Sequence, residues 1–390
     1  MATLKRVMLI LRDGGSWDRG LIFGVSSYVH PWHPWSLRIA FPSAETLKEI
    51  PKWCPDGFVG RFPTVQHAKV FEQFGKPIVN ITPLEGIGLP RVGADNTMIG
   101  QLAAVHLLDR FFSSFAFVGH SSMTYSQNRE DGYVAALAKN GYKPALFHAP
   151  LATDNEPSLG FSPKNRQKLV IWLKTLPRPV ALFACDDCFA LEVLEACQKA
   201  GLSVPQDVAI MGSDNDETLC LASHPPLSSV ELPANRVGFL AAKLLDRLLF
   251  SAKPPKRPIT VKPTRVVARQ STDIVAVDDP ELATALHYIR EQVGNRINVS
   301  DVIHHQAISR RGLEQKFRKI LGHSILHEIH QERLKRCKEL LTETTLAIPE
   351  IAKLAGYRDA RHLARAFAQK LGISPSRFRL NIQKNQLFDQ

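Results

Sequence analysis

The sequence predicts two structural classes in series: an α/β domain of two parallel-sheet lobes, then an all-α domain built on two helix-turn-helix units. Three observations carry this. Apolar runs of strand length alternate with helical stretches over the first 275 positions, the pattern of βαβ units. The last 110 residues read as a run of mostly short helices, and one plan recurs there after about 50 residues. Charge is also divided unevenly. Of the net +12, residues 281–390 carry 19 basic and 11 acidic groups, net +8, against +4 for the rest. A basic module of this size suggests nucleic acid as its partner.

Residues 6–11 (RVMLIL) are an apolar run of strand length, and 21–29 have helical spacing after Trp17. A strand at 57–60, a helix at 65–74 and a strand at 77–81 follow. A helix at 96–110 precedes a strand at 115–119, and a helix at 166–175 precedes one at 180–184. A strand at 208–212 and a long helix at 235–250 complete the series. That is enough for two covered parallel sheets with a cleft between them. The composition, 44% hydrophobic and 22% charged over 390 residues, is that of a globular chain of two or three domains.

Several chemistries are disfavoured. Gly119-His-Ser-Ser-Met123 approaches the GxSxG nucleophile elbow but ends in methionine. No GxxxxGK phosphate loop occurs. Cys185-Asp-Asp-Cys188 lacks the second ligand pair of a zinc site, so two small buried thiols are expected. His304 and His305 have no third ligand nearby in sequence. We therefore expect no metal, no cofactor and no catalytic residue. Six scattered cysteines, a short apolar run at 7–11 and no apolar span of membrane length point to the cytoplasm and to no membrane partner.

Ligands in open α/β sheets sit beyond the carboxyl ends of strands. The polar residues so placed are Asp95-Asn96, Asp186-Asp187 and Asp214-Asn215-Asp216. Each can equally cap a helix or make a turn. Asp214, directly after VAIMGS, is the one most favoured to face a ligand.

Val92-Gly-Ala-Asp-Asn96 with QLAAVHLLDR after it, Arg129-Glu-Asp-Gly-Tyr133, the stretch 180–216 and Ala268-Arg-Gln-Ser-Thr272 resemble the sugar-responsive core of lactose/galactose-repressor-type regulators. The resemblance covers 5–275 and implies a two-lobed periplasmic-binding-protein-like (LacI/GalR-like) sensor domain closing on a small ligand, usually a sugar. It implies that Arg129 clamps the ligand and that Asp186 and Asp214 face it; Asp95 and Asn215 are candidates from their positions after strands. Ionised Asp accepts from vicinal hydroxyls, Arg donates as a fork, and an aromatic covers a sugar's apolar face. Trp17, in the loop after the first strand, is the aromatic candidate; packing within a lobe is its other reading. That family's N-terminal DNA-reading helices are expected to be absent, since the first strand starts near residue 6.

Residues 275–280 read as the hinge between domains, and Leu282, Ala285, Leu286, Ile289 and Val293 then fall at helical spacing. A short helix at 302–307 precedes one capped by Ser309, with Leu313, Phe317 and Ile320 inward and Arg311, Gln315 and Arg318 outward. After a long helix at 324–341 and a short one at 348–355, Asp359 caps a helix. Its Leu363, Phe367 and Leu371 point inward, and Arg358, Arg361, His362 and Arg365 outward. The helix-turn-helix units are thus 300–320 and 348–371, each with a second helix able to enter a major groove.

Ile348-Pro-Glu-Ile-Ala-Lys-Leu-Ala-Gly-Tyr357, with Phe367, Gly372-Ile-Ser-Pro375 and Phe378-Arg379, resembles the signature of the AraC/XylS family of transcription regulators. By position the resemblance implies DNA contacts from Arg311, Glu314 and Gln315 in the first unit and from Arg361, His362 and Arg365 in the second, and Arg318 joins them from the outward face. The first unit departs from the pattern. His305 stands where a small alanine packs, Ala307 where glycine turns, and Gly312 lies inside the reading helix, at ~1 kcal/mol relative to Ala. The order of domains, 5–275 then an AraC-type domain at 281–382, is similar to the bacterial xylose-operon regulator type. What this implies is a DNA-binding activator responding to xylose or a related pentose, acting as a homodimer on double-stranded DNA with RNA polymerase. A repressor, or a sensor of a non-pentose ligand, is the alternative; a solute-binding protein or a sugar or nucleotide enzyme is the more distant one.

Overall fold

A computed structural model of the chain describes residues 4–380 apart from 13, 30–33, 63, 85, 87, 150–160, 278 and 307. The turn expected at Ala307, and the end of the second domain at 381–382, lie outside the described residues. The chain divides into two compact units, Met1–Ile274 and Val275–Gln390.

The first unit holds two large sheets, one per lobe, and a two-stranded one. β1 (Lys5–Ile10), α1 (Ser16–Tyr28), β2 (Trp35–Ala40), α2 (Ala44–Trp53), β3 (Gly57–Gly60), α3 (Val65–Glu72) and β4 (Ile78–Asn80) form the first lobe, a parallel sheet in the order β2-β1-β3-β4. Side chains alternate along β1, so its two faces feed separate cores. Val7 and Leu9 pack with Leu21 and Val25, and Met8 and Ile10 with Phe58 and Phe71. β5 (Val92–Ala94) leads out of this lobe.

The second lobe contains α4 (Asn96–Leu108), β6 (Phe115–His120), α5 (Thr124–Ala138), β7 (Ala145–Ala149), α6 (Pro163–Thr175), β8 (Val180–Ala184), α7 (Asp187–Ala200), β9 (Val208–Asp214), α8 (Glu217–Ala222) and β10 (Ser228–Glu231). The chain then returns through α9 (Ala234–Leu249) and β11 (Ile259–Val261), which pairs with β5, and crosses again into β12 (Arg265–Val267). The sheet order is β12-β10-β9-β8-β6-β7, parallel except for β12. Three crossings join the lobes, after β5, β10 and β11.

Two helix pairs touch backbone to backbone. A Cβ on Gly24 of α1 would lie 1.9 Å from Asn235 O, and Gly238 of α9 faces Leu21 as closely, at 2.3 Å. Gly100 of α4 and Gly132 of α5 would each put a Cβ 1.9 Å from the partner helix's carbonyl oxygen. Only glycine permits that approach, and the second contact is what sets Arg129 beside Asn96.

Some sequence expectations shift. Helix α1 starts at Ser16, so Trp17 sits in its first turn rather than in a loop. β2 and α2 were not read from the sequence, because WSLRIA mixes arginine and serine into its aliphatic residues. Cys185 is buried as expected, but Cys188 is half-buried.

The second unit comprises α10 (Pro280–Gln292), α11 (Val299–His304), α12 (Arg310–Lys316), α13 (Ile325–Glu343), α14 (Ile348–Leu354) and α15 (Ala360–Leu371). Pairs α11–α12 and α14–α15 are the two helix-turn-helix units. Asn298 and Asp301 close a reciprocal capping box on α11, and Ser309 and Asp359 cap the two reading helices. Gly356 turns at φ +75°, where a Cβ would meet Val293 O at 2.1 Å, so glycine is required. One expectation fails here: Ile320 is 46% exposed rather than inward. Residues Phe317–Leu321 form a π-helical turn after α12, and its wider step rotates Ile320 off the buried stripe that holds Leu313 and Phe317.

Candidate functional site

The cleft of the first unit is a cavity of about 140 Å³ walled by residues that follow strands in both lobes. Its floor is Arg129, which is 4% exposed. Nε donates to Asn96 Oδ1 at 3.0 Å, and Nη1 is shared among Cys185 O, Ser213 Oγ at 2.8 Å and Asp214 Oδ1 at 3.2 Å. The ring of Tyr125 lies against the guanidinium, 5.0 Å from its centroid. These contacts fix the fork and leave Nη2 without a protein partner among the described residues, so one arm remains for a ligand.

Asp214 ends β9 at φ +112° and borders the same cavity. Burial pushes its carboxyl up to about 6, opposed by Arg129 and helped by nearby Asp186. Asp186 has two duties already: Oδ1 caps α7 through Phe189 N at 2.9 Å, and Oδ2 accepts from Tyr125 OH at 2.9 Å. Trp17 both lines the cavity and packs on the first lobe's core.

Thus Trp17, Arg129, Asp186 and Asp214 come together. Asp95 and Asn215 do not join them. Asp95 caps α4 through Met98 N at 2.9 Å. Asn215, at φ +50°, accepts from Arg269 Nη2 at 2.9 Å on the far side of the turn. Asn96, named with Asp95 among the polar residues after strands, does line the cavity, and so do Arg12, Arg61, Arg91, His120 and Tyr125, which sequence reasoning did not single out. Arg12, Arg61 and His120 close or follow β1, β3 and β6, so the rule that selected the aspartates could have found them.

Asp18, fully buried, anchors this rim. It accepts from Arg12 N and Gly14 N and pairs with Arg61 Nη1 at 3.0 Å. Across the cleft, Asp216 of the second lobe accepts from Ser16 N at 3.2 Å and faces Arg19 at 3.4 Å in the first. The lobes are therefore latched together at α1.

In the second unit, Leu313 and Phe317 anchor α12, and Leu363 and Phe367 anchor α15, all buried. Arg311, Gln315, Arg318, Arg361, His362 and Arg365 are exposed on the opposite faces. Glu314 is half-buried and ion-paired to Arg310 at 3.0 Å. His305 does not fill an alanine's place in the core; it is exposed and stacks on Tyr288 with ring centroids 4.3 Å apart. Among the described residues no His, Cys, Asp and Glu cluster could hold a metal ion, and no helix is long and apolar enough to cross a membrane.

Comparison with known proteins agrees with both halves. Residues 104–272 match the family described as periplasmic binding protein-like domain, and 304–381 match helix-turn-helix domain. The chain is 29% identical to the xylose operon regulatory protein of Haemophilus influenzae, over 96% of this chain and 98% of that one. It is 29% identical to the protein of the same name from Escherichia coli K12, covering 96% of each. A solved structure titled as the xylose-binding transcription activator xylR aligns at TM-score 0.62 and 28% identity, over 97% of this chain and 99% of that one. A LacI family regulator from Enterococcus faecium with bound ribose shares the fold of the sensor, at TM-score 0.56 and 22% identity over 69% of this chain and 98% of the other. The chain thus joins a periplasmic-binding-protein-like domain to a helix-turn-helix domain, and over nearly its whole length it is similar to sugar-responsive transcription regulators of that order.

Proposed function

We propose that this regulator binds a sugar of pentose size, xylose or a close relative, between the lobes of residues 5–275, and activates sugar-catabolic genes through the DNA-binding domain at 281–382. The observation that carries the reading is Arg129, fixed by four partners while lining a cavity bordered by Asp214 and Trp17. A fork, a carboxylate and an indole are the groups a polyol needs. The names of the relatives, xylose operon regulatory protein, support the ring size. The site binds rather than catalyses: neither ring nitrogen of His120 is set against a nucleophile. The protein acts in the cytoplasm as a homodimer, placing four helix-turn-helix units on DNA where RNA polymerase can meet it. Arg311, Gln315, Arg318, Arg361, His362 and Arg365 meet the DNA, while Glu314 must leave Arg310 to do so.

A thermal-shift panel of pentoses and hexoses tests this, since a ligand bound only by the folded state raises stability by RT ln(1 + [L]/Kd). The full-length protein should be stabilised by a pentose and should change its DNA footprint at the same concentration. Stabilisation by no sugar of either size would overturn the reading.

A further inference from the structure

Three consecutive residues at the end of β9 engage three different parts of the sensor. Asp214 borders the cavity and accepts from Arg129 Nη1 at 3.2 Å. Asn215 accepts from Arg269 Nη2 at 2.9 Å. Asp216 takes Ser16 N and Arg19 of the first lobe. The amides of this turn are tied to one buried group behind it. Asn215 N donates to Ser229 Oγ at 3.0 Å and Asp216 N to Asp187 Oδ2 at 2.8 Å, while Ser229 Oγ donates to Asp187 Oδ1 at 2.6 Å. The backbone is at positive φ twice in succession, +112° at Asp214 and +50° at Asn215. Residues with a side chain keep such geometry only where the bonds around them impose it.

Arg269 stands in the segment that leads out of the sensor. Its Nη1 donates to Leu227 O at 2.8 Å, its amide donates to Ser228 Oγ at 2.7 Å, and that hydroxyl lies 3.0 Å from its carbonyl oxygen. Ser271 and Thr272 follow, both fully buried. Ser271 Oγ donates to Ile210 O of β9 at 2.6 Å. Thr272 Oγ1 meets Ser228 Oγ at 2.7 Å and His106 Nε2 of α4 at 3.0 Å. The first compact unit ends at Ile274. The chain thus leaves from the second lobe, five residues past a guanidinium that is bonded to the ligand-facing turn.

Building on the sugar-sensor reading, we propose that Arg269 is a positioning residue that carries the state of the turn at 214–216 to the chain's exit from the sensor. The two states are the latch made and the latch broken. With Asp216 on Ser16 and Arg19 the turn is held from both lobes; with the lobes apart it is held from the second alone. Ligand in the cavity touches the same turn through Asp214 and so favours one state over the other. Arg269 is shared between the turn and the exit segment, so a change in the turn alters how residues 270–274 are held. Coupling between two sites requires an element of this kind, whose equilibrium both sites bias.

The test uses the full-length protein and a DNA duplex that it selects from a random pool. Affinity for the duplex is measured with and without D-xylose, and affinity for D-xylose with and without the duplex. Linkage requires the two ratios to agree, and the parent should show at least about fivefold. Arg269→Met keeps the stem and loses the guanidinium donors. Both ratios should fall below about twofold in it, while D-xylose binding without DNA stays within about threefold of the parent's. Asn215 supplies a second pair of variants, because glycine and aspartate both tolerate its positive φ. Asn215→Gly removes the acceptor and should lose the coupling; Asn215→Asp keeps an acceptor and should retain it. A merely structural Arg269 would lower the melting temperature of Arg269→Met and leave the ratios unchanged, which would overturn the proposal. Loss of D-xylose binding in that variant, or equal coupling in the two Asn215 variants, would do the same. A parent that binds D-xylose with both ratios near one would overturn the coupling and leave the sugar cavity standing. A parent that binds no D-xylose would overturn both.

Discussion

Replacing Asp214 with asparagine is expected to stabilise the empty sensor at neutral pH while weakening its hold on ligand. Asp214 sits at φ +112°, in positive-φ territory where asparagine is among the better-tolerated residues. Its carboxyl is raised from 3.8 to about 6 by burial, with the attraction of Arg129 already working against the rise. At 1.36 kcal/mol per unit, two units correspond to about 3 kcal/mol. The sign follows from proton linkage. An acid whose folded value exceeds its unfolded one binds its proton more tightly in the native state, so its contribution is full below about pH 4 and is lost as pH rises through about 6. Asparagine has no such proton to lose. The difference between variant and parent should be near zero at pH 4 and reach about 3 kcal/mol above pH 7. At about 2–4 °C per kcal/mol, that is a rise of roughly 6–12 °C in Tm. Burial and the charge of Asp214 also raise Asp187, so the difference reports the loss of the Asp214 proton together with the easier ionisation of Asp187. Scanning calorimetry at pH 4.5, 6.0 and 7.5 measures it. A variant that melts below the parent at pH 7.5, or a difference that ignores pH, would refute the reasoning.

Asp216→Ala removes both the cap on α8 and the latch to Ser16 and Arg19. It should cost about 0.5–2 kcal/mol for the cap, weaken ligand binding, and enlarge the radius of gyration measured by X-ray scattering. Gly100→Ala drives a methyl group into Arg129 O; overpacking of this kind costs about 1–3 kcal/mol, and the displaced Arg129 should lose ligand affinity as well, measured by denaturant unfolding and titration. On DNA, Arg365→Ala should cost about 1–3 kcal/mol at one base pair if its guanidinium reads guanine, while Lys370→Ala, at the end of α15, should weaken all sequences alike and lower the salt slope by about one. A selection experiment with both variants at several salt concentrations separates the two outcomes.

Strands buried on both faces were legible in the sequence because they are unbroken apolar runs, as in Val180–Ala184 and Val208–Asp214. β2 was not, because an exposed Ile39 and half-buried polar neighbours give it no apolar run. The second unit was legible to the level of single caps, since Ser309 and Asp359 act through local amides only. The aspartates after β8 and β9 were found as polar residues directly following apolar strands. Arg12 and Arg61 occupy the same kind of position but were passed over, because a basic residue after a strand reads as ordinary surface until the opposite lobe encloses it. Ile320 was misplaced because helical periodicity assumes a constant step.

That uneven step has a consequence for the symmetry of the DNA target. Each residue turns an α-helix by about 100°, so the π turn at Phe317–Leu321 sets Arg318 and Lys319 at a different azimuth from Ala368 and Gln369, which follow Phe367 in the uninterrupted α15. The two reading heads are relatives that no longer superpose side chain for side chain. A site made of two identical tandem half-sites would therefore satisfy one head and mismatch the other, so the preferred sequence has a built-in direction. One orientation along the duplex is favoured over its reverse before any second subunit arrives.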